Sequence, residues 1–409
     1  MAMEKISGGV TSARGFKASA AAAGIKYEKR DDMAMIFSET PCVCAGTFTT
    51  NVVKAAPVVW DRAIVEDRNP VNAVVINSGI ANACTGDEGI RCCERTAGAA
   101  AEVLGVSPRG VLVASTGVIG MEIPVSKIEV GVRVLARRLN DSEKAATSAA
   151  RAIMTTDTRQ KQCAVRISIG GTDVTIGGMC KGSGMIHPNM CTMLSFLTTD
   201  AAISGEMLQK ALSESVDKTY NMISVDGDTS TNDTVLILAN GQAKNRPITA
   251  DGPDFAAFCD ALNVANTSLA KQIAGDGEGA SSLLEVKVTG ARDEKKAGVI
   301  ARSVVSSSLV KAAVYGRDAN WGRVLCAMGY CGEEFDPEKT DIFFESKKGS
   351  VKVAENGAAA VYSEARATDI LSSDEVTIVC DIKEGDACAR AWGCDLTYDY
   401  VRINADYRS

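Results

Sequence analysis

Apolar residues in this chain repeat with two different periods, and the two periods alternate along it. Residues 72–76 and 111–114 are short continuous apolar runs, the pattern of strands buried on both faces. Between them Ile90, Cys93, Ala97, Ala100 and Leu104 recur at helical spacing, and Gly105 follows as a stop. Ile128, Val132, Leu135 and Leu139 mark a second helix. Val165, Ile167 and Ile169 alternate up to Gly170-Gly171, and Val174 and Ile176 alternate after it, which predicts a hairpin. Ser204 can cap a helix carrying Leu208 and Leu212, and Val235 and Ile237 lie on a further strand. Phe255, Phe258, Leu262, Ala265 and Leu269 signal a long helix that the loop 275–279 ends. Strands and helices that alternate in this way predict an α/β chain.

The texture changes near residues 280–285. Leu284, Val286 and Val288 begin a strand, and Ala297, Ile300, Ala301, Val304 and Val305 then form one helical stripe. Beyond about residue 335 the chain reads as short strands, with an Asn356-Gly357 turn signal. A domain boundary is placed near residues 280–285, and 409 residues predict two or three domains. The net charge, 44 basic less 51 acidic residues or −7, argues against nucleic acid or an acidic membrane as partner. The densest basic pairs, Arg137-Arg138 and Lys347-Lys348, read as solvated faces. The chain has fourteen cysteines but no CxxC pair and one histidine, His187, so a zinc site is not expected. Reduced, mostly buried thiols are the simplest account of the cysteines. No stretch approaches the roughly 20 apolar residues of a membrane span, and the alanine run after Arg14 and Lys17 is too short for a signal peptide. The expectation is a cytoplasmic protein.

Residues 181–200 read KGSGMIHPNMCTMLSFLTTD. A loop carrying Gly182, Gly184 and Pro188 runs straight into an apolar stretch, with Thr192 at the junction. One reading is a Thr-rich strand after a tight turn. The other is chemical. A hydroxyl is a poor nucleophile without an adjacent base, and cutting the bond before Thr192 would create one. An α-amino group has an unperturbed pKa of about 7.7–8.0 and can accept a proton near neutral pH.

Several motifs follow in order: Gly8-Gly9-Val10-Thr11; Ile76-Asn77-Ser78-Gly79 with Asn82-Ala83-Cys84-Thr85-Gly86; and Ser115-Thr116-Gly117-Val118-Ile119-Gly120. Further on come residues 224–233 (SVDGDTSTND), Gly275-Asp276-Gly277-Glu278-Gly279, Asp318-Ala319-Asn320-Trp321-Gly322-Arg323 and the tail 403–409 (INADYRS). With the 181–194 segment, this ordered set resembles the ornithine acetyltransferase family of arginine biosynthesis along nearly the whole chain. That family usually places a small residue, most often Ala, before the threonine; here it is Cys191.

The resemblance implies a layered sheet sandwich flanked by helices, similar to N-terminal-nucleophile enzymes, with a smaller C-terminal α/β domain. The implied division is 1–200 (oxyanion loop and cleavage site), 201–282 (a small α/β unit) and 283–409 (an α/β domain with a docked tail). Self-cleavage between Cys191 and Thr192 would give fragments 1–191 and 192–409, assembled as a heterotetramer or larger. Cys191 is itself a nucleophile, so scission one bond earlier is a rival. The implied reaction is ping-pong: N2-acetyl-L-ornithine acetylates Thr192, and L-glutamate then takes the acetyl group. Acetyl-CoA is implied as a possible second donor, and neither a metal nor a tightly held cofactor is implied.

Carried over residue by residue, Thr116 and Gly117 would stabilise the oxyanion. Thr155, Lys181, Thr192, Glu278, Asn404 and Ser409 would contact substrate, with Lys181 suited to a carboxylate and Glu278 to an amine. The plainer alternatives are a strand-ending turn at Thr116-Gly117, solvated loop charge at Lys181 and Glu278, and a frayed end at Ser409. His187 reads as turn packing or as a proton acceptor. The residues 226–233 lack the closing Glu of an EF-hand and read as a hydrogen-bonded turn near the site. Trp321 reads as a core anchor. Two other functions remain: an aminopeptidase or amidase handing the acyl group to water, and a non-catalytic binding protein.

Overall fold

The strand Val71–Ile80 is buried at every position, which requires cover on both faces. Alternate side chains meet different neighbours, as the two-residue period of a strand demands. Val74 and Ile76, with Leu112 and Ala114 of the strand Val111–Val118, face a core shared with Met179, Leu194, Phe196, Leu236 and Leu238. Ala73, Val75, Val111 and Val113 face the opposite way, onto Cys93, Ala97 and Ala100 of the helix Gly86–Leu104 and Ile128, Val132 and Leu135 of the helix Val125–Arg138. The chain is seen here as a computed structural model that describes residues 3–187 and 193–406.

Two compact units are present. The first comprises Met1–Gly182, Asn189–Asn221 and Thr229–Leu269; the second comprises Ser183–Pro188, Met222–Asp228 and Ala270–Ser409. Among the described residues the first unit holds a nine-stranded sheet. Its strands run Met3–Ile6, Lys161–Ile169, Thr172–Lys181, Leu194–Thr199, Thr234–Ala239, Met33–Phe48, Val71–Ile80 and Val111–Val118, with Phe16–Ala21 paired on Met33–Phe48. The long strand Met33–Phe48 links the two parts of this sheet. Its first half pairs with Val71–Ile80, and its second half pairs antiparallel with Thr234–Ala239, after a register shift between Phe37 and Cys42.

Val71–Ile80 and Val111–Val118 are parallel, joined through the helix Gly86–Leu104, which Gly105 closes in a left-handed conformation at φ +69°. Gly170 and Gly171 turn the Lys161–Ile169/Thr172–Lys181 hairpin with φ of +57° and +83°, the geometry that a two-residue primed turn requires. Thr172–Lys181 also pairs with Leu194–Thr199, which lies parallel to Thr234–Ala239.

The second unit holds a seven-stranded sheet in the order Ala358–Ala359, Gly349–Glu355, Asp341–Ser346, Glu375–Asp381, Leu283–Ala291, Ala387–Cys394, Ile223–Ser224. The helix Glu294–Ser306 buries Ala297, Ile300, Ala301, Val304 and Val305 against it, the stripe expected from the sequence. The fold is thus mixed α/β, with sheets flanked by helices. Among the described residues the cysteines are free thiols, and no single helix is long and apolar enough to cross a membrane.

Candidate active site

Thr116 and Gly117 close the buried strand Val111–Val118, where its pairing with Val71–Ile80 becomes irregular between Gly79 and Ile80. Gly117 has φ +134°, and a Cβ there would stand 2.2 Å from the carbonyl carbon of Gly79. Only glycine fits, and its backbone is left without a covering side chain. Beneath it, Ser115 Oγ donates to Asn77 Oδ1 at 2.6 Å, and Asn77 Nδ2 donates to the Ile80 carbonyl at 3.0 Å. Asn232 Nδ2 donates to the carbonyls of Ser115 and Ala81 at 2.7 and 2.6 Å.

The next residue, Asp233, turns to the other side. Its Oδ1 accepts the Met193 N–H at 2.9 Å, and the Thr234 N–H donates to the Met193 carbonyl at 3.1 Å. Adjacent residues of one segment therefore hold both the strand end at Thr116-Gly117 and Met193, the residue that follows Thr192 in sequence. Asp233 is buried. Burial pushes its carboxyl well up from the usual range, against the pull of the Met193 N–H, the Thr49 hydroxyl and the charge of Lys181. Thr192, Cys191 and Ser409 lie outside the described residues.

Thr155 and Lys181 meet at one carboxylate in the same unit. Asp157 Oδ2 accepts the Thr155 N–H at 3.0 Å; Oδ1 accepts the Gly182 N–H at 2.8 Å and the Lys161 ammonium at 2.6 Å. Lys181 Nζ stands 4.0 Å from Oδ2, an ion pair rather than a hydrogen bond. Lys161 and Lys181 are both buried, at 0% and 3% exposure, so Lys181 is not a solvated loop charge. Burial works against ionisation of Asp157, yet Lys181 and Lys161, with the Gly182 N–H, hold its carboxyl well below the usual carboxylate range. Arg30 donates to the Met154 carbonyl, and its guanidinium lies 4.1 Å from the centroid of the Tyr27 ring.

Glu278 and Asn404 belong to the second unit. Glu278 is buried, its Oε2 accepts from Asn404 Nδ2 at 2.8 Å, and its N–H donates to the Ser183 carbonyl at 3.0 Å. Ser183 Oγ donates to the Asp276 carbonyl at 2.8 Å, and a Cβ on Gly184 would fall 2.4 Å from the Glu278 carboxyl. Asp226 accepts the N–H groups of Met185 and Ile186 at 2.5 and 2.8 Å. The residues 183–186 are thus pinned between the Glu278 loop and Asp226. His187 is half-buried; its Nδ1 is 3.1 Å from Ser224 Oγ, and it borders a cavity of about 370 Å³ with Arg302, Ser303, Ser306 and Tyr330. Burial and the Arg302 charge lower its pKa.

The model of the ArgJ family matches residues 17–409. The chain belongs to the ArgJ family of enzymes. A member from Thermotoga neapolitana, the arginine biosynthesis bifunctional protein ArgJ, is 51% identical over 398 residues, covering 97% of this chain and 99% of its own. The protein of the same name from Bacillus subtilis is 45% identical over 405 residues, 99% of this chain and 98% of its own. A crystal structure of the arginine biosynthesis bifunctional protein ArgJ from Bacillus halodurans is 50% identical with a TM-score of 0.50; the match covers 52% of this chain and 99% of that one.

Set in the ArgJ family, the sequence motifs contain several residues to which the sequence alone gives no role. Asn232 and Asp233 end the motif at 224–233 and Asp157 lies two residues after Thr155, yet the partners of Asp157, Asn232 and Asp233 lie 25, 117 and 40 residues away. Local periodicity carries no signal for such pairs.

Proposed function

We propose that this ArgJ-family chain is a self-processed acetyltransferase that moves an acetyl group from N2-acetyl-L-ornithine to L-glutamate through acetyl-Thr192, with a heterotetramer or larger assembly of its two fragments as the working form in the cytoplasm. The observation that carries this reading is the pair of bonds from residues 232 and 233, one to the Ser115 carbonyl beside Thr116 and one to the Met193 N–H. A nucleophile at 192 and an oxyanion site at 116–117 are both one residue from that tie. Full-length identity of 51% to a protein named for arginine biosynthesis and bifunctionality supports the substrate class. Scission is supported by the Bacillus halodurans chain, which matches over 99% of its length to 52% of this one, about 213 of 409 residues.

In the first step Thr192 Oγ attacks the Cys191 carbonyl. The C–N bond gives way to a C–O ester, the hydroxyl proton passes to the leaving nitrogen, and water opens the ester. In turnover Oγ attacks the acetyl carbonyl of the donor and the new α-amine takes the proton, a role worth ~10²–10⁴-fold. N–H and O–H groups at 116–117 receive the negative charge; losing one such donor costs ~3–4 kcal/mol of barrier. Ornithine departs, and the glutamate amine attacks the acetyl-threonine ester. Acetyl-CoA would serve as the second donor to the same threonine. Neither metal nor tightly bound cofactor enters these steps.

The test is intact mass under denaturing conditions. The parent should give fragments of 191 and 218 residues (409 less 191) and Thr192→Ala an uncut chain. Incubation with acetylornithine should add one acetyl group to the C-terminal fragment, and glutamate should remove it. Steady acetylornithine hydrolysis indifferent to glutamate would make the chain an amidase instead; an uncut, unacetylated parent would leave it no transferase.

A further inference from the structure

We propose that Asp157 is a positioning residue for substrate: one buried carboxylate that sets Thr155 and Lys181 at a fixed separation and anchors the start of the segment leading to residue 192. The inference rests on the reading that Thr155 and Lys181 contact substrate, and it adds the residue that makes their geometry reproducible.

Four groups from three places in the chain converge on this carboxylate. Thr155 comes from a loop without regular secondary structure, Lys161 from the first position of one strand, and Lys181 and Gly182 from the last position of the next and just beyond it. The two strands are hairpin partners, with Lys161 opposite Cys180. The sheet therefore fixes Lys161 and Lys181, but nothing in the ladder fixes Thr155. The Thr155 N–H bond at 3.0 Å does so. The Gly182 N–H bond at 2.8 Å also fixes the direction in which the chain leaves the sheet after Lys181.

Burial supports a functional assignment over a purely structural one. The Asp157 side chain is fully screened from water, as is that of Lys161. A buried ion pair is weak evidence for stability, since apolar side chains of similar volume often hold a fold as well. What a carboxylate provides that an apolar residue does not is direction: two oxygens with lone pairs aimed at two N–H groups and two ammonium groups. Substrate side chains placed to within about half an ångström depend on such support, because their own contacts do not set their rotamers.

The test is steady-state kinetics on Asp157→Asn and Asp157→Glu, with Lys181→Met as control and each rate divided by the number of threonines that can be acetylated. In Asp157→Asn one face becomes an NH2 group turned toward an N–H donor, and both ammonium groups lose the charge of Asp157. KM for acetylornithine and for glutamate should rise roughly tenfold or more while kcat per acetylatable site changes less than about threefold. Asp157→Glu keeps the charge but displaces both oxygens by one methylene, so KM should rise by a smaller factor; it carries the test if the Asn variant does not fold. A lowered Tm with unchanged KM in the folded variants would overturn the proposal, as would a fall in kcat alone. Lys181→Met leaving KM unchanged would instead overturn the substrate role of Lys181, whichever way Asp157 behaves.

Discussion

Asn404 Nδ2 donates to Glu278 Oε2 at 2.8 Å, so the C-terminal helix Tyr398–Ala405 reaches a carboxylate that the loop after Ala274 presents. The same side chain also donates to the Tyr400 carbonyl at 3.0 Å, which braces it along its own helix. Glu278 is buried while Asn404 is exposed, so the bond orients the carboxylate more than it shields it.

Asn404→Ala should therefore separate binding from stability. An exposed helical Asn replaced by Ala changes stability within about 0.5 kcal/mol. Losing a hydrogen bond to a charged group, worth ~1.5–3 kcal/mol, should raise KM for acetylornithine about tenfold. The pair of measurements is a urea midpoint and a KM. A shifted midpoint with an unchanged KM would make the contact a structural clasp.

Gly117→Ala should fail for a backbone reason. With φ at +134° and the Gly79 carbonyl carbon 2.2 Å from the new Cβ, no side-chain rotation relieves the clash. The strand end must shift, at a cost on the order of 2 kcal/mol or more. The proposed self-cleavage should slow with it, because the donors assigned to the oxyanion move. Gel analysis over hours after refolding would show full-length chain persisting. Rapid, complete scission in this variant would separate residue 117 from the cleavage chemistry.

The alternation of strands and helices was legible because each strand obeys its own local period. Val74 and Ile76 face one core and Ala73 and Val75 the other, and Gly105 and Gly170-Gly171 stop and turn the chain where a positive φ is needed. Thr116-Gly117 was visible as a strand-ending pair, and the close approach of Gly79 shows why glycine stands there. The supports were not visible. Asn232 beneath Ser115 and Asp157 against Gly182 join residues far apart in the chain, and in one dimension a buried Asp and a solvated Asp look alike. Tyr27 and Arg30 were missed for the same reason: a polar loop gives no sign that its arginine bonds to Met154.

Asp61 should make stability fall as pH rises. It sits on the helix Ala56–Glu66, buried at 1% exposure, with Oδ1 accepting the Val113 N–H at 2.8 Å and, among the described residues, no partner for Oδ2. Burial pushes its carboxyl well above the usual range, opposed by the Val113 bond. A carboxyl with a raised folded pKa binds more protons folded than unfolded. Its contribution is thus full below about pH 4, the unfolded value, and is lost as pH climbs toward the folded one. The loss is at most ~1.4 kcal/mol per pH unit. Urea unfolding at pH 5 and pH 8 should show Asp61→Asn with the flatter dependence. Equal slopes for parent and variant would mean that Asp61 is ionised in the fold.

His187 should prove dispensable for proton transfer, even though it is the single histidine. Burial and the Arg302 charge lower its pKa, with Asp228 opposing, so the ring is neutral at pH 7 and loses no proton between there and pH 9. Its Nδ1 lies 3.1 Å from Ser224 Oγ, a contact that an amide can also make. In His187→Gln the kcat profile should keep its acidic limb, which the proposed mechanism assigns to an α-amine with an unperturbed pKa of about 7.7–8.0. The rate at the optimum should stay within about threefold of the parent, far from the ~10²–10⁴-fold that a lost general base removes. A loss of that size, with disappearance of the acidic limb, would transfer the proton-accepting role to the histidine and leave the amine of residue 192 without one.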